Sequence, residues 1–275
     1  MAKEKQKTVE IPSGLSAFIA RRDVSVSLRT TVLSDKCNMS IQNVVQEHRV
    51  RHTLRDNKLD NRNKLLFYGP PGTGKTMTSA IVSQRMNLPF FSIITDSLVG
   101  SLLGETCARL NKVFEFINDN PGVYLFDEFD SIGSQRGDTT QTAGGEMRRA
   151  VNSFLTLIDH LNHDSVIIVA TNDVCVLDRA LFRRFDDVLL FDLPTKKERE
   201  DLIEKYTLGF DFDNGSLDEL SGLCCGFSHA EISKACINAK KKCVIGSRKK
   251  INVDDVLDGF SEISSLREIL ESIQE

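Results

Sequence analysis

Five short apolar runs recur between residues 64 and 194, and longer amphipathic stretches separate them. The runs are KLLFYG, PFFSII, VYLFDE, VIIVATN and VLLFDLP. Continuous apolar runs of this length are typical of strands that are buried on both faces of a parallel sheet. Because strands that alternate with helices indicate βαβ units, this part of the chain predicts an α/β fold with helices on both faces of the sheet.

Two of the intervening stretches have a clear helical period. Within residues 106–117 the apolar positions follow the spacing i, i+3, i+4, i+7, and they are Leu110, Val113, Phe114 and Ile117. Residues 146–161 carry a similar stripe, which consists of Met147, Val151, Phe154, Leu155, Ile158 and Leu161. Each stretch is predicted to form a helix that packs one face against the sheet.

The pattern changes after Pro194, where no further strand is predicted. Thr195 with Glu198 and Ser228 with Glu231 have the spacing of capping boxes, so each pair should begin a helix. The first 60 residues are polar and irregular, with weak helical patterning near SIQNVVQEHRVRHTL. The predicted division is a short N-terminal region (1–60), an α/β core (61–194) and a small all-α domain (195–275).

Composition narrows the class of protein. The chain has 275 residues, of which 40% are hydrophobic and 27% charged, and its formal net charge is −4, which argues against nucleic acid as a partner. The seven cysteines form no C-x-x-C pair and are expected to be reduced thiols, as in a cytoplasmic protein. No apolar run is long enough for a signal peptide or a bilayer span, so no membrane insertion is expected.

The sequence GPPGTGKT follows the first predicted strand and precedes a predicted helix at 77–86. Its spacing is G-x-x-x-x-G-K-[ST], in which backbone N–H groups surround a phosphate and the lysine reaches the β- and γ-phosphates. The threonine hydroxyl would hold Mg²⁺. A glycine-rich turn without a ligand is the alternative. The candidate residues are Gly69, Pro70, Pro71, Gly72, Thr73, Gly74, Lys75 and Thr76.

Polar residues end two of the other predicted strands. Asp127 follows VYLF and should lie beside Thr76, where it suits a contact with Mg²⁺, while Glu128 is placed to polarise an attacking water. Asn172 ends VIIVATN and could orient that water without adding negative charge. A helix cap would explain the two acids and a turn would explain the asparagine, but the upstream phosphate motif favours catalysis.

Five segments together resemble the AAA ATPases: GPPGTGKT, LFDEFDSIGSQR, VATND, LDRALFRRFDD and GFSHAEI. The resemblance covers about residues 62–260 and implies a P-loop NTPase core, a helical lid, bound ATP and Mg²⁺, and assembly into a ring, as a hexamer. It gives Asp127 and Glu128 the roles of the Walker B pair and Asn172 that of sensor 1. His229 replaces the usual glycine of the lid segment, where either a capping position or a nucleotide contact would explain it.

Arg183 and Arg184 stand between phenylalanines just before the last predicted strand. Ligands bind outside the carboxyl ends of parallel strands, so a pair that begins a strand should lie away from its own nucleotide. The resemblance, here to the spastin and katanin branch, implies that they are arginine fingers for a neighbouring subunit. The alternative is local ion pairing with Asp186, Asp187 or Asp192.

Two departures from the family pattern affect the functional prediction. Leu102 stands where relatives place an aromatic residue that grips polypeptide, and Asn111 stands where they often have an arginine. The favoured prediction is a Mg²⁺-dependent ATPase ring that remodels or unfolds a protein substrate. An ATP-driven assembly switch that regulates an effector such as a protease is the alternative, and a DNA-linked activity is the least favoured because of the net charge.

Overall fold

The computed structural model describes residues 9–22, 31–100, 104–130, 141–173, 182–212 and 217–274. The chain forms two compact units. The first contains the described residues of Met1–Val26, Lys36–Gly69 and Lys75–Phe191, and the second contains those of Ser27–Asp35, Pro70–Gly74 and Asp192–Glu275.

A six-stranded sheet is the centre of the first unit. Its strands are β1 (Ile19–Arg21), β2 (Lys64–Tyr68), β3 (Phe90–Ile93), β4 (Val123–Phe126), β5 (Val166–Thr171) and β6 (Asp187–Leu190). Their order is β1-β3-β4-β5-β2-β6, and all neighbours are parallel except β1 and β3. The predicted α/β class is confirmed, as are the five predicted strands. β1 was not predicted, because three residues are too few to show a period.

The register of the sheet brings the carboxyl ends of the central strands to one edge. Tyr68 of β2 pairs with Thr171 of β5, and Phe126 of β4 pairs with Val169 of β5. Every residue of β4 and β5 is buried. The residues that directly follow these three strands must therefore meet at the same edge.

Helices cover the sheet and complete the core of the first unit. They are α1 (Asp35–Arg49), α2 (Arg51–Asp56), α3 (Lys75–Met86), α4 (Thr95–Leu98), α5 (Glu105–Asp119) and α6 (Gln141–Asp159). The predicted helices near 77–86, 106–117 and 146–161 are confirmed. Aromatic rings join α5 and α6 to β4, with ring centroids 5.9 Å apart for Phe114 and Phe126 and 5.2 Å apart for Phe126 and Phe154.

The second unit is mostly helical. Its elements are α7 (Lys196–Thr207), β7 (Asp211–Phe212), α8 (Leu217–Leu223), α9 (His229–Ile245), β8 (Lys250–Ile251) and α10 (Val253–Gln274). Both predicted capping boxes are present, at Thr195 and Ser228. The prediction that no strand follows Pro194 is wrong, since β7 and β8 pair in parallel. Two-residue strands leave no alternation in the sequence that could reveal them.

Among the described helices, none combines the length and the apolar character that a membrane span would need.

Candidate active site

The loop after β2 begins with a glycine that no other residue could replace without distortion. Gly69 has φ +141, and a Cβ atom there would lie 2.0 Å from the carbonyl oxygen of Phe191. Its N–H donates to the carbonyl of Thr171 at 3.3 Å. This close packing fixes the start of the loop between β5 and the end of β6, and the loop then leads into α3 at Lys75.

Lys75 is a buried ammonium group at the edge of the sheet. Only 6% of the residue is exposed, and Nζ donates to the Gly69 carbonyl at 2.6 Å and to Asn172 Oδ1 at 2.8 Å. Burial lowers the pKa of Lys75, while the nearby carboxylates of Asp127 and Asp130 act in the opposite direction. A cation held here by neutral oxygens is well suited to an anionic ligand such as a phosphate.

Thr76 and Asp127 lie side by side, as the sequence predicted. The Thr76 hydroxyl donates to Asp127 Oδ2 at 2.6 Å, and the Thr95 hydroxyl donates to the Asp127 carbonyl at 3.0 Å. A hydroxyl and a carboxylate are ligands that Mg²⁺ accepts. No group of three or more His, Cys, Asp or Glu side chains in the described ranges could hold a metal. Mg²⁺ in proteins is usually bound by one or two carboxylates together with substrate phosphates and water.

Glu128 has a strained backbone. Its φ is +50, which places a residue with a Cβ atom in the left-handed region, and its N–H donates to Asp127 Oδ1 at 3.0 Å. The residue is exposed, in contrast to the buried Phe129 that follows it. Strain of this kind is common at functional sites.

Sequence reasoning missed a set of contacts that hold Asn172 in place. The Thr171 hydroxyl lies 3.2 Å from Asp130 Oδ1 and accepts a hydrogen bond from the Asp173 N–H at 3.1 Å. Thr171 is buried, whereas Asn172 is exposed. The position of Asp130, the third acid of the segment DEFD, is the signal that could have revealed its contact with Thr171.

The middle of the loop is associated with the second unit. The Thr73 hydroxyl donates to the Pro70 carbonyl at 2.8 Å, and the Ala230 N–H donates to the Gly72 carbonyl at 2.9 Å. His229 is the first residue of α9, directly after the N-cap. Its Nδ1 is buried and has no hydrogen-bond partner among the described residues. Burial lowers the pKa of His229, while the charge of Glu198 raises it.

Phe182 and Phe185 anchor the segment that carries the two arginines, since both pack against the core of the first unit. The local ion pairs considered from the sequence as the alternative to a finger role are not the ones that the structure shows. Arg184 pairs with Asp159, at the end of α6, and not with any of the three acids considered from the sequence. In the described part of the chain, Arg183 is exposed and makes no hydrogen bond or ion pair.

The three acids considered as partners of the arginines have other contacts. Asp186 accepts hydrogen bonds from the N–H groups of Asn63 and Lys64, both at 2.9 Å. Asp187 pairs with Arg62 at 3.1 Å, and Asp192 accepts from the N–H of its neighbour in the chain. Asp186 thus lies beside the start of β2, and Gly69 lies beyond its other end. At about 3.3 Å per residue, the length of β2 separates Asp186 from Gly69 by roughly 16 Å along the strand.

Two further positions were singled out from the sequence. Leu102 lies outside the described residues. Asn111 is exposed on α5.

A parallel sheet whose strand ends bring a glycine-rich loop, a lysine and an acid pair together defines a nucleotide-binding α/β protein of the P-loop class. Comparison with known proteins refines this class. A sequence profile of the family described as "ATPase family associated with various cellular activities (AAA)" matches residues 65–193.

Full-length relatives agree with this profile. The AAA family ATPase y4kL of Sinorhizobium fredii is 35% identical over 251 residues, which are 90% of this chain and 74% of that protein. A proteasome-activating nucleotidase of Saccharolobus islandicus is 33% identical over 217 residues, or 77% of this chain and 55% of that protein. Another proteasome-activating nucleotidase, of Sulfurisphaera tokodaii, is 32% identical over 213 residues, which are 75% of this chain and 54% of that protein. The chain spans just over half the length of these nucleotidases.

The chain therefore belongs to the AAA family and is an enzyme that binds and hydrolyses ATP.

Proposed function

We propose that the chain hydrolyses ATP with Mg²⁺ at the carboxyl edge of its sheet, in a ring of subunits that acts on proteins. The loop Gly69–Thr76 would surround the phosphates, with Lys75 neutralising them. Thr76 and Asp127 would bind Mg²⁺. The observation that carries this proposal is the convergence of three strand ends, where Lys75 contacts Asn172 and Thr76 contacts Asp127.

The two residues beside this centre suit hydrolysis better than transfer to a substrate. Glu128 would accept the proton of the attacking water, and Asn172 would orient that water against the γ-phosphate. The exposed Glu128 carboxylate and the exposed Asn172 amide are both accessible to solvent. Neither side chain needs to move through the core to meet a nucleotide.

We also propose that the active site is completed by a second copy of the chain. Arg183 is exposed and makes no polar contact in the described residues, and it lies at the amino ends of the strands, away from its own phosphate loop. An arginine that reaches a neighbour's γ-phosphate needs this arrangement. Arg184 would assist after releasing Asp159. In a closed ring, here a hexamer, each subunit would both give and receive such arginines.

The work done by this ring would be the remodelling or unfolding of a protein in the cytoplasm. The nucleotidases that resemble the chain carry proteasome activation in their names, which supports a protein as the target. No disulfide is present among the described cysteines, in keeping with a reducing compartment.

A switch that activates a separate effector, such as a protease, is the second candidate. It is favoured by Leu102, which stands where the family resemblance leads us to expect an aromatic residue that grips polypeptide. ATP would then drive assembly, and the assembled ring would act on the effector without threading a chain.

The Glu128→Gln variant tests both candidates, because it should bind ATP without hydrolysing it. Proteins that the variant retains with ATP but not with ADP would be substrates or effectors, and the Lys75→Ala variant, which should not bind nucleotide, is the control. A Leu102→Ala variant then separates the two: lost remodelling with intact ATPase turnover supports threading, and unchanged activity supports the switch. An empty Glu128→Gln trap would contradict both.

A further inference from the structure

We propose that Arg267, near the end of α10, is a positioning residue for nucleotide binding, because it holds the segment of α9 that contacts the phosphate loop. This inference rests on the proposal that Gly69–Thr76 binds the nucleotide. It does not depend on ring assembly, since its consequence is measured as the nucleotide affinity of the chain. All the contacts involved lie within the second unit.

Arg267 makes a dense set of contacts to one short segment. Its Nε donates to Glu231 Oε1 at 2.8 Å and its Nη2 donates to Glu231 Oε2 at 2.5 Å, which is a two-point ion pair. Nη2 also donates to the Gly226 carbonyl at 3.3 Å, and the guanidinium lies 4.9 Å from the centroid of the Phe227 ring. A planar, two-point and stacked contact is one that arginine makes and lysine cannot.

Glu231 transmits this contact to the beginning of α9. Its Oε2 accepts hydrogen bonds from the N–H and the hydroxyl of Ser228, at 2.8 and 2.7 Å, which closes the capping box. Burial alone would raise the pKa of Glu231, but the hydrogen bonds from Arg267 and Ser228 outweigh burial and lower it. The carboxylate therefore stays charged and keeps the N-cap fixed.

The N-cap region in turn touches the phosphate loop. A Cβ atom at Gly72, where φ is +76, would lie 2.7 Å from the Ser228 hydroxyl oxygen, so the loop backbone and Ser228 are in close contact. The Ala230 N–H donates to the Gly72 carbonyl at 2.9 Å. This donor is available because the first N–H groups of a helix have no partner within the helix. The orientation of the Gly72 peptide thus depends on α9, and α9 is oriented by Arg267.

The alternative is that Arg267 only stabilises the packing of α10 on α9. The chain offers a matched control, because Lys242 and Asp258 form a second ion pair between the same two helices, at 2.9 Å. Lys242 lies fourteen residues after Ser228 along α9 and contacts no residue of the phosphate loop. A purely structural role predicts that the two ion pairs behave alike.

The experiment measures the dissociation constant of a fluorescent ADP analogue and the thermal midpoint for each variant. Arg267→Ala should weaken nucleotide binding about fivefold to tenfold, the effect of losing one well-placed hydrogen bond to the loop. Lys242→Ala should leave the dissociation constant within about twofold of the parent protein. Equal dissociation constants for Arg267→Ala, Lys242→Ala and the parent protein would overturn the inference.

A double variant tests the route of the effect. Ala230→Pro removes the N–H that contacts Gly72, at a first-turn position where a helix tolerates proline. If Arg267 acts through this hydrogen bond, adding Arg267→Ala to Ala230→Pro should weaken binding by less than about twofold further. Fully additive losses would show that Arg267 acts elsewhere and would overturn the inference.

Two more variants keep the outcome interpretable. If Arg267→Ala does not fold, Arg267→Lys retains a cation beside Glu231 but loses the two-point contact, and it should still weaken binding by about threefold. Unchanged affinity in a folded Arg267→Lys would contradict the proposal. Lys75→Ala tests the underlying assignment separately. Retained nucleotide binding in that variant would refute the phosphate site, on which the inference rests, whereas lost binding in Lys75→Ala with unchanged affinity in Arg267→Ala would refute only the role of Arg267.

Discussion

The two ends of the central sheet differ in how their charged side chains are bonded. At the carboxyl end, the residues proposed to be functional contact one another: Lys75 bonds to Asn172, and Thr76 bonds to Asp127. At the amino end, ion pairs join a helix and a strand to the segment before β2, where Arg62 pairs with Glu47 of α1 and with Asp187 of β6, while Arg183 has no polar contact in the described residues. One end gathers polar side chains that contact one another, and the other presents a positive charge to solvent.

This difference is what the proposed shared active site requires of a single chain. A residue that binds a ligand in its own subunit is best held in place beforehand, because ordering it later would cost binding energy. An arginine that must reach into a neighbour needs an exposed side chain instead. The burial of Lys75 and the exposure of Arg183 fit these two requirements.

The largest expected effect is the loss of turnover in Arg183→Ala. Removing an arginine that stabilises the charge of the transferring phosphate should lower kcat by on the order of 10³ or more. ATP affinity should stay close to that of the parent protein, since the phosphate loop is at the other end of the sheet. Steady-state ATPase kinetics and nucleotide titration measure the two quantities. If Arg183→Ala lost ATP affinity by the same factor as kcat, Arg183 would act in nucleotide binding, and the two ends of the sheet would not differ in function.

Glu128→Gln should have the next largest effect. Replacing a carboxylate that accepts the proton of water by an amide should lower kcat about 10² to 10⁴-fold. Binding of ATP should persist, because the amide keeps the shape of the side chain and no cation of the described structure is left unpaired. The measurement is single-turnover hydrolysis beside ATP titration. Turnover near that of the parent protein would assign the base to another residue.

Stability at acid pH probes the amino end through His48. Burial, with smaller contributions from Arg51 and Arg55 and an opposing one from Asp164, lowers the pKa of His48 to about 4. In the unfolded chain the imidazole should titrate near its ordinary pKa, so the unfolded state binds the extra proton first as the pH falls. Stability should therefore fall by about 3 kcal/mol between neutral pH and pH about 4.

Urea unfolding at the two pH values measures this loss, and His48→Phe is the control. A phenylalanine cannot bind a proton, so the acid loss should shrink in this variant. The same pH dependence in both proteins would assign the loss to other groups.

The smallest expected effect concerns the ion pair between Arg184 and Asp159. Arg184 is half exposed, so Asp159→Ala should cost less than about 1 kcal/mol of folding stability. The variant frees Arg184 from its ion pair. If that ion pair keeps Arg184 from reaching a neighbouring subunit, ATPase turnover should rise slightly or stay unchanged. Thermal unfolding and turnover together measure this. A large loss of stability would make the pair a structural one and leave Arg183 as the sole candidate finger.

Much of this contrast between the two ends of the sheet could be predicted from the sequence, because it follows from the positions and directions of the buried strands. The buried strands before Gly69, Asp127 and Asn172 are continuous apolar runs, and parallel pairing then brings their ends to one edge. Direction alone also predicted that Arg183 lies away from the phosphate loop.

The contacts that the sequence did not reveal join residues without a periodic relation. Asp159 pairs with Arg184 from 25 residues upstream, so it was not among the neighbouring acids that the sequence offered as alternative partners. The bond between Thr171 and Asp130 depends on how two adjacent strands end. The strands β1, β7 and β8 have two or three residues each and are defined by their partners, not by their own composition.

The central claim, that two copies of the chain complete one active site, is tested most directly by ATPase activity as a function of protein concentration. Sedimentation at the same concentrations gives the state of assembly. Turnover per chain should rise steeply as the monomer assembles, and the Arg183→Ala variant should assemble without this rise. Full turnover per chain in a sample that is monomeric by sedimentation would show that one chain forms a complete active site by itself.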